Sequence, residues 1–376
     1  MACEQLTRLG DVIELEDVKR EPISSRDRKD RKGSYPYYGA QGIVDYLDDY
    51  TYEGDYLLVA EDGENLRSRK NPIANAASGK FRVNNHAHVI AESEKCNLVF
   101  LRHLLNMTDI SAYVTGSTQP KLSQSNLCAM KLPLPSMAEQ NAIANVLSLF
   151  DRKIELNNQL NDYLEQLVDG KFQELFGGLN FNATLSDVAE ITMGQSPAGS
   201  SYNEEGAGII FYQGRGEFGW RFPKRRLYTT EPKRLACEGD VLMSVRAPVG
   251  DLNVAFENCC IGRGLAAIHS ETPSFALYLM RFLKPQLEAY NGEGTVFGSI
   301  NGKALKSLEV ALPSHNEVMQ FESFAAPIDA LIRSNENETR KLNNLRNYLL
   351  PKLMSGEIDV SKVDLMQLTN NHLADC

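Results

Sequence analysis

Apolar residues recur at steps of three and four, or their sums, along two stretches of the chain. Ile143, Leu147, Phe150, Ile154, Leu164 and Leu167 form one series, and Phe321, Ala325, Ile328, Ile332, Leu342 and Leu345 the other. This is the period of an amphipathic helix, so each stretch predicts one long helix with a single apolar stripe. One Asn falls in phase with each stripe, Asn157 and Asn335. Ser136 with Glu139, and Ser314 with Glu317, have the S-x-x-E spacing of a capping box and mark the two helix starts. Gly177-Gly178 and Gly356 stand where glycine ends a helix. Ahead of each helix lie about 130 residues of different texture: short apolar runs such as "DYLLVA" and "DVLMSV", broken by Gly, Asn and Pro, which read as strands with a few helices.

The two stretches are copies. Pro135-Ser136 and Pro313-Ser314 stand 178 residues apart, and the same separation pairs Gly116 with Gly294, Leu127 with Leu305, Glu139 with Glu317, Asp151 with Asp329, Asn157 with Asn335 and Gly178 with Gly356. A period this long marks a duplicated domain and not a solenoid. Upstream only "LGDV" at Leu9 with "LSDV" at Leu185, and "GDYLLV" at Gly54 with "GDVLMS" at Gly239, still correspond. The expected architecture is α+β: two strand-rich domains, 1–133 and 179–312, alternating with helical spacers 134–178 and 313–357, and a tail, 358–376. Two helices with matching stripes pair most simply as an antiparallel coiled coil. Asn157 and Asn335 then either lie in the seam, where a buried Asn fixes register at a cost in stability, or at its solvent edge.

Length and composition agree with several domains: 376 residues, 43% hydrophobic, are enough for real cores. The seven cysteines include no C-x-x-C pair, which suggests neither a zinc ribbon nor a disulfide framework and fits a reducing cytoplasm. No charged-then-apolar leader and no apolar run of spanning length is seen, so neither secretion nor membrane insertion is expected. The net charge of −10 counts against nucleic acid until it is divided. Residues 1–131 and 183–312 carry −2 and −1, against −4 and −3 for 132–182 and 313–376. The strand-rich segments are therefore near neutral, with basic runs, "RDRKDRK" and "PKRR", able to make a local basic face.

Catalytic signatures are missing. "GRGEFG" at Gly214 matches G-x-G-x-x-G, but "WRFPKRR" follows it where a dinucleotide site needs a helix. There is no Walker A sequence and no "NPPY"-like stretch. His86 and His88 in "NNHAH" have no further ligands at recognisable spacing, so no metal is expected. A non-catalytic binding protein is the simplest reading.

The array resembles the DNA-specificity (S) subunit of type I restriction-modification systems. "YPYYGAQGIVDYLDDY", "GDYLLVAEDGENL", "NNHAHV" and "GSTQPKLSQSNL" running into "LPLPSMAEQNAIANVLSLFDRKI" resemble one class of target recognition domain and its boundary with a helix. "MGQSP", "FYQGRGEFG" and "GDVLMSVRAPVGDLNVAFENCCIGRGLAAI" resemble another. The second hinge departs from the family pattern at His315 to Val318. The resemblance implies a non-enzymatic chain that reads a bipartite, asymmetric site in double-stranded DNA. It also implies two methyltransferase (M) subunits, which hold S-adenosylmethionine, and up to two restriction (R) subunits, which use ATP and Mg. No cofactor would be held by this chain itself. Motif positions name Tyr37, Tyr38, Ser117, Thr118, Gln119 and Lys121 in the first domain and Gln195, Gln213, Arg246 and Arg263 in the second as DNA-binding residues. Hydroxyl, amide and guanidinium groups suit phosphates and base edges. Lys29, Arg31, Arg67, Lys70, Trp220, Lys224 and Arg225 join them for charge or stacking. The competing reading of these positions is structural, with arginines bracing strands and tyrosines in the core. The competing function is a helix-tethered protein scaffold that reads no DNA.

Overall fold

The computed structural model describes residues 6–291 and 298–360. Gly294 and the tail beyond residue 360 lie outside the described residues. Two helices of 40 residues dominate, Met137–Phe176 and His315–Met354. Both capping boxes form. The Ser136 amide donates to Glu139 at 3.0 Å and the Glu139 amide to the Ser136 hydroxyl at 3.4 Å, and Ser314 with Glu317 repeats this at 2.8 and 3.4 Å. These bonds satisfy two amides that a helix start otherwise leaves open. At the far ends the Gly177 amide closes on the Gln173 carbonyl, and Gly356 adopts φ +69°.

The chain divides into two compact units, Met1–Leu156 with Glu338–Cys376, and Asn157–Asn337, so the division falls inside both long helices. In the first unit six strands lie in the order 14–15, 87–91, 52–60, 74–83, 32–39, 42–47. All neighbours are antiparallel except 32–39 and 74–83. The helix Leu98–Met107, capped by the Asn97 side chain, buries Phe100, Leu101, Leu104 and Leu105 in a core shared with Ile143, Leu147 and Phe150 of one long helix and Leu342, Leu350 and Leu353 of the other. In the second unit a four-stranded sheet (190–193, 265–269, 241–244, 252–254) accompanies a five-stranded one (202–203, 228–229, 209–212, 259–261, 235–236). Phe172, Phe176, Phe275 and Phe321 meet there edge-on or tilted, with centroids 5.0 to 6.2 Å apart. Each ring removed from water contributes about 1.5–3 kcal/mol.

Within each unit the long helices run antiparallel. Asp151 meets Arg346 at 2.8 Å and Lys153 meets Glu338 at 3.0 Å in the first, while Phe172 and Phe176 both meet Phe321 in the second. Asn157 and Asn335 are buried, 3% and 9% exposed, and the Asn335 amide donates to Asn161 Oδ1 at 2.8 Å. The solvent-edge alternative is therefore excluded. Asn161, one turn beyond Asn157 on the same face, completes the polar cluster.

The duplication extends well beyond what the sequence displays. Thr7 pairs with Leu132 as Ala183 pairs with Val310, and Val59 faces His88 as Met243 faces Ala266, which corrects the match of Gly54 with Gly239 by one residue in this strand. The parallel pair Tyr37–Arg82, Tyr38–Val83 recurs as Phe211–Cys260, Tyr212–Ile261. Backbone pairing constrains register and the facing of side chains, not their identity, so the fold repeats where the letters have diverged.

Candidate nucleic-acid interface

In the first unit the segment after strand 52–60 meets the loop 115–121. Thr115 and Lys121 exchange backbone hydrogen bonds at 2.8 and 2.7 Å and close a tight loop. Gly116 holds φ +85° there, and a Cβ on it would stand 2.2 Å from the Gln119 carbonyl, so only glycine fits. Arg67 donates to the carbonyls of Gly116 and, at 2.8 Å, Ser117. Ser117, Thr118 and Gln119 project from this clamped loop, exposed. Lys121 Nζ lies 3.1 Å from Glu61, which also takes Arg20 at 2.5 Å. Burial pushes the Glu61 carboxyl up, and these two cations more than offset it, leaving it below its ordinary value.

Tyr37 does not belong to this edge. Tyr37 is 1% exposed; its hydroxyl donates to the Glu21 carbonyl at 3.1 Å and accepts from the Ile23 amide at 2.9 Å. An inward-facing strand position with both hydroxyl roles used inside cannot meet DNA, which corrects its assignment as a DNA-binding residue. Tyr38 is half-buried and edge-on to Phe81 at 5.5 Å, and burial raises its phenol. The basic run is largely neutralised: Arg31 pairs with Asp48 at 3.2 Å and Asp49 at 2.7 Å, Arg28 with Asp45 at 3.5 Å, and Lys32 with Asp45 at 2.5 Å. Lys29 and Lys70 are exposed.

In the second unit three of the four motif residues converge. Gln213, Arg246 and Arg263, together with Ser196 and Arg215, line a cleft of 360 Å³. Exposed Gln195 precedes Ser196, its amide donating to the Ile261 carbonyl at 3.0 Å. Trp220, Lys224 and Arg225 are exposed but absent from the cleft lining. Arg225 is paired with Glu257 at 2.6 Å, and Trp220 carries the Arg221 guanidinium 5.5 Å from its ring centroid. Arg215 is not among the residues named from the sequence; it sits in "GRGEFG", read there as a dinucleotide-loop match and as part of the "FYQGRGEFG" resemblance. The strand 209–212 leads there into a single turn, Arg215–Glu217, and no helix follows to hold a pyrophosphate.

Ionic groups brace each unit, half-buried in the first and centred on buried Arg221 in the second. Asp151 accepts from Arg102, from His103 at 2.9 Å and from Arg346 at 2.8 Å. Its duplicate Asp329 takes Arg221 at 3.0 Å, and Arg221 also reaches Glu165 at 3.0 Å and the Tyr278 hydroxyl at 3.2 Å. Of the groups with metal-ligand chemistry, Asp17, Glu61 and His88 are tied to one another and to Arg20, while Asp240 takes His269 at 2.6 Å and the Cys237 amide at 2.8 Å. Both sets are stable as ion pairs and hydrogen bonds. Among the described residues no helix is long and apolar enough to cross a membrane.

The type I restriction modification DNA specificity domain matches twice, over residues 5–166 and 182–347. The putative type I restriction enzyme MjaX specificity subunit of Methanocaldococcus jannaschii is 30% identical over 94% of this chain and 84% of its own length. A putative specificity subunit of Haemophilus influenzae is 37% identical over 37% of this chain and 35% of its own. The type I restriction-modification S subunit of M. genitalium has the same fold, with a TM-score of 0.61 at 18% identity over 93% of this chain and 95% of that one. A repeated unit of strand-rich domain and long helix is thus matched in sequence along nearly its whole length: the chain belongs to the type I restriction-modification specificity family, as the non-catalytic subunit that gives such a complex its DNA sequence specificity.

Proposed function

We propose that this chain reads a bipartite, asymmetric site in double-stranded DNA, one part with each of two recognition domains, 1–133 and 179–312. The helical spacers 134–178 and 313–357 carry them, with Asn157 and Asn335 fixing helix register. The carrying observation is the cleft in which Gln213, Arg246 and Arg263 converge. Arginine pairs well with guanine O6 and N7 and glutamine with adenine N6 and N7. In the first domain the reading surface is Arg67 with Ser117, Thr118, Gln119 and Lys121, and Lys70, Lys29 and Arg31 add charge at other exposed or partly exposed positions of the same domain. Gln195, Trp220, Lys224 and Arg225 flank the cleft of the second, where they position phosphates or stack. Tyr37 serves the fold, and half-buried Tyr38 stays with the DNA-binding residues of the first domain.

Two methyltransferase subunits bound to the helices bring S-adenosylmethionine to an adenine in each half-site, and restriction subunits with ATP and Mg complete a cutting complex in the cytoplasm. Near-neutral recognition segments give the chain modest affinity on its own, because phosphate contacts supply much of DNA binding. The partners therefore close around the DNA. The test is methylome sequencing of cells in which residues 1–131 are exchanged for another recognition domain of the family. One half-site changes and the other keeps its bases. A change in both halves sinks independent reading. A purified complex with no affinity for duplex DNA points instead to a protein scaffold.

A further inference from the structure

The repeated backbone allows positions in the first unit to be matched to those that build the cleft in the second. In the second unit Val245 donates to the Gly264 carbonyl at 3.0 Å, Ala247 to Gly298 at 3.0 Å, Ile300 to Val245 at 3.1 Å and Gly262 to Tyr212 at 2.8 Å. The first unit repeats each bond: Glu61 to His86 at 2.8 Å, Gly63 to Pro120 at 3.1 Å, Leu122 to Glu61 at 2.7 Å and Asn84 to Tyr38 at 2.9 Å. Asp62 therefore occupies the place of Arg246, and His86 the place of Gly264. The glycine has moved as well. In the second unit a Cβ on Gly264 would come 2.8 Å from the Gln213 carbonyl, so that side of the cleft belongs to Gln213. In the first unit the place of Gln213 is taken by Gly39 and that of Gly264 by an imidazole.

His86 Nδ1 lies 2.7 Å from Asp62 Oδ2, with the imidazole 47% and the carboxylate 17% exposed. A carboxylate only accepts, so Nδ1 carries the hydrogen, and in the neutral ring Nε2 is an acceptor. Among the described residues Nε2 has no hydrogen-bonding partner. Asp62, which holds the ring, bridges through its backbone to Lys121 at the foot of the exposed loop 116–119. Phosphate binding does not explain this arrangement, because a carboxylate at that place repels phosphate. A fixed acceptor suits an exocyclic amino group in the major groove, where adenine N6 and cytosine N4 are the donors. Stability does not explain it either, since an exposed ion pair contributes little.

Resting on the DNA-reading function proposed above, we infer that His86 is a specificity-determining residue of the first recognition domain. It accepts a hydrogen bond from an adenine or cytosine amino group of the first half-site, and Asp62 is the positioning residue that holds its tautomer. The two domains thus place opposite charge at one backbone position, the Asp62 carboxylate that orients His86 in the first and the Arg246 guanidinium in the second.

The test uses the full chain assembled with its methyltransferase partners, selecting bound duplexes from a library randomised at both half-sites. A base contact is worth enough that His86→Ala should lose about 5-fold to 140-fold of the preference at one base pair. That pair lies in the first half-site, with the second half-site unchanged, and whether adenine or cytosine is lost there identifies the donor. Asp62→Asn, which can hold either tautomer, relaxes the same base pair less. Unchanged preference in His86→Ala, or relaxation spread over both half-sites, overturns the inference. If His86→Ala yields no bound DNA at all, Asp62→Asn decides alone by the same criterion. Failure of the wild-type complex to select any bipartite site is a separate outcome and sinks the functional reading itself.

Discussion

Replacing Arg221 with Met removes a cation that is 4% exposed and held by two carboxylates and a phenol. Burial alone would lower the Arg221 pKa, but Tyr278, Asp329 and Glu165 outweigh it and raise it, so the guanidinium stays charged. Glu165 keeps a second cation in the variant, Arg281 at 2.8 Å, whereas Asp329 keeps only the Tyr278 hydroxyl, at 3.1 Å, of these bonds. Breaking a buried pair from one side typically costs about 3–5 kcal/mol, most of it for the charge left behind. In hydrogen exchange controlled by local opening, that amounts to about a hundred-fold to a few thousand-fold faster exchange. The helix Pro273–Phe282, which carries Tyr278 and lies in the same core, is where it should be read. Asp329→Asn added to Arg221→Met removes the stranded charge and recovers most of the loss. Exchange accelerated less than about five-fold in the single variant, or a double variant no better than the single, would refute the claim that this ionic group holds the unit together.

Three further outcomes follow from the same geometry. Burial pushes the Asp151 carboxyl up, yet His103, Arg102 and Arg346 hold it down to about 2 against an ordinary 3.8. A depressed carboxyl contributes its stability above the unfolded value and loses it as pH falls. The advantage of wild type over Asp151→Asn, about 2 kcal/mol at neutral pH, should therefore vanish between pH 3.8 and 2 in urea midpoints. Ser136→Ala removes the hydroxyl that accepts from Glu139 and should cost about 1 kcal/mol, seen as faster exchange in the first turn of Met137–Phe176. Gly116→Ala forces a side chain into φ +85° and against the Gln119 carbonyl, a strain of about 1–3 kcal/mol. It should deprotect the Lys121 amide and weaken reading of the first half-site only.

The parts of this molecule that were legible in the sequence are those fixed by period. The helices, both capping boxes, the duplication and the phase of Asn157 and Asn335 all follow from spacing along one strand of chain. Asn161 was within reach of the same reasoning, since it stands four residues after Asn157 on the stripe side. What period could not supply was the set of partners brought from afar. "RDRKDRK" looks like a basic face until Asp45, Asp48 and Asp49 fold against it. Tyr37 looks like a DNA-binding hydroxyl until that hydroxyl is found bonded to Glu21 and Ile23. His86 enters the sequence reading only as a rejected metal ligand and as one letter of the "NNHAHV" resemblance, because the carboxylate that orients it lies 24 residues earlier in the chain.

The repeat also accounts for how one scaffold can hold two readers that share almost no side chains. At the edge proposed to read DNA the strands are tied by main-chain bonds, such as Glu61 to His86 and Val245 to Gly264, and these survive any exchange of side chain that keeps the backbone conformation. Asp62 and Arg246 can therefore be opposite in charge at one geometric position without either unit losing a backbone partner. In a dimer of identical chains such an exchange would appear in both half-sites at once and keep the target symmetric. Joining the two copies in one chain removes that restriction. Each edge then answers only to its own half of the DNA, while residues serving the shared frame, Asp151 and Asp329 among them, stay under the constraint of packing.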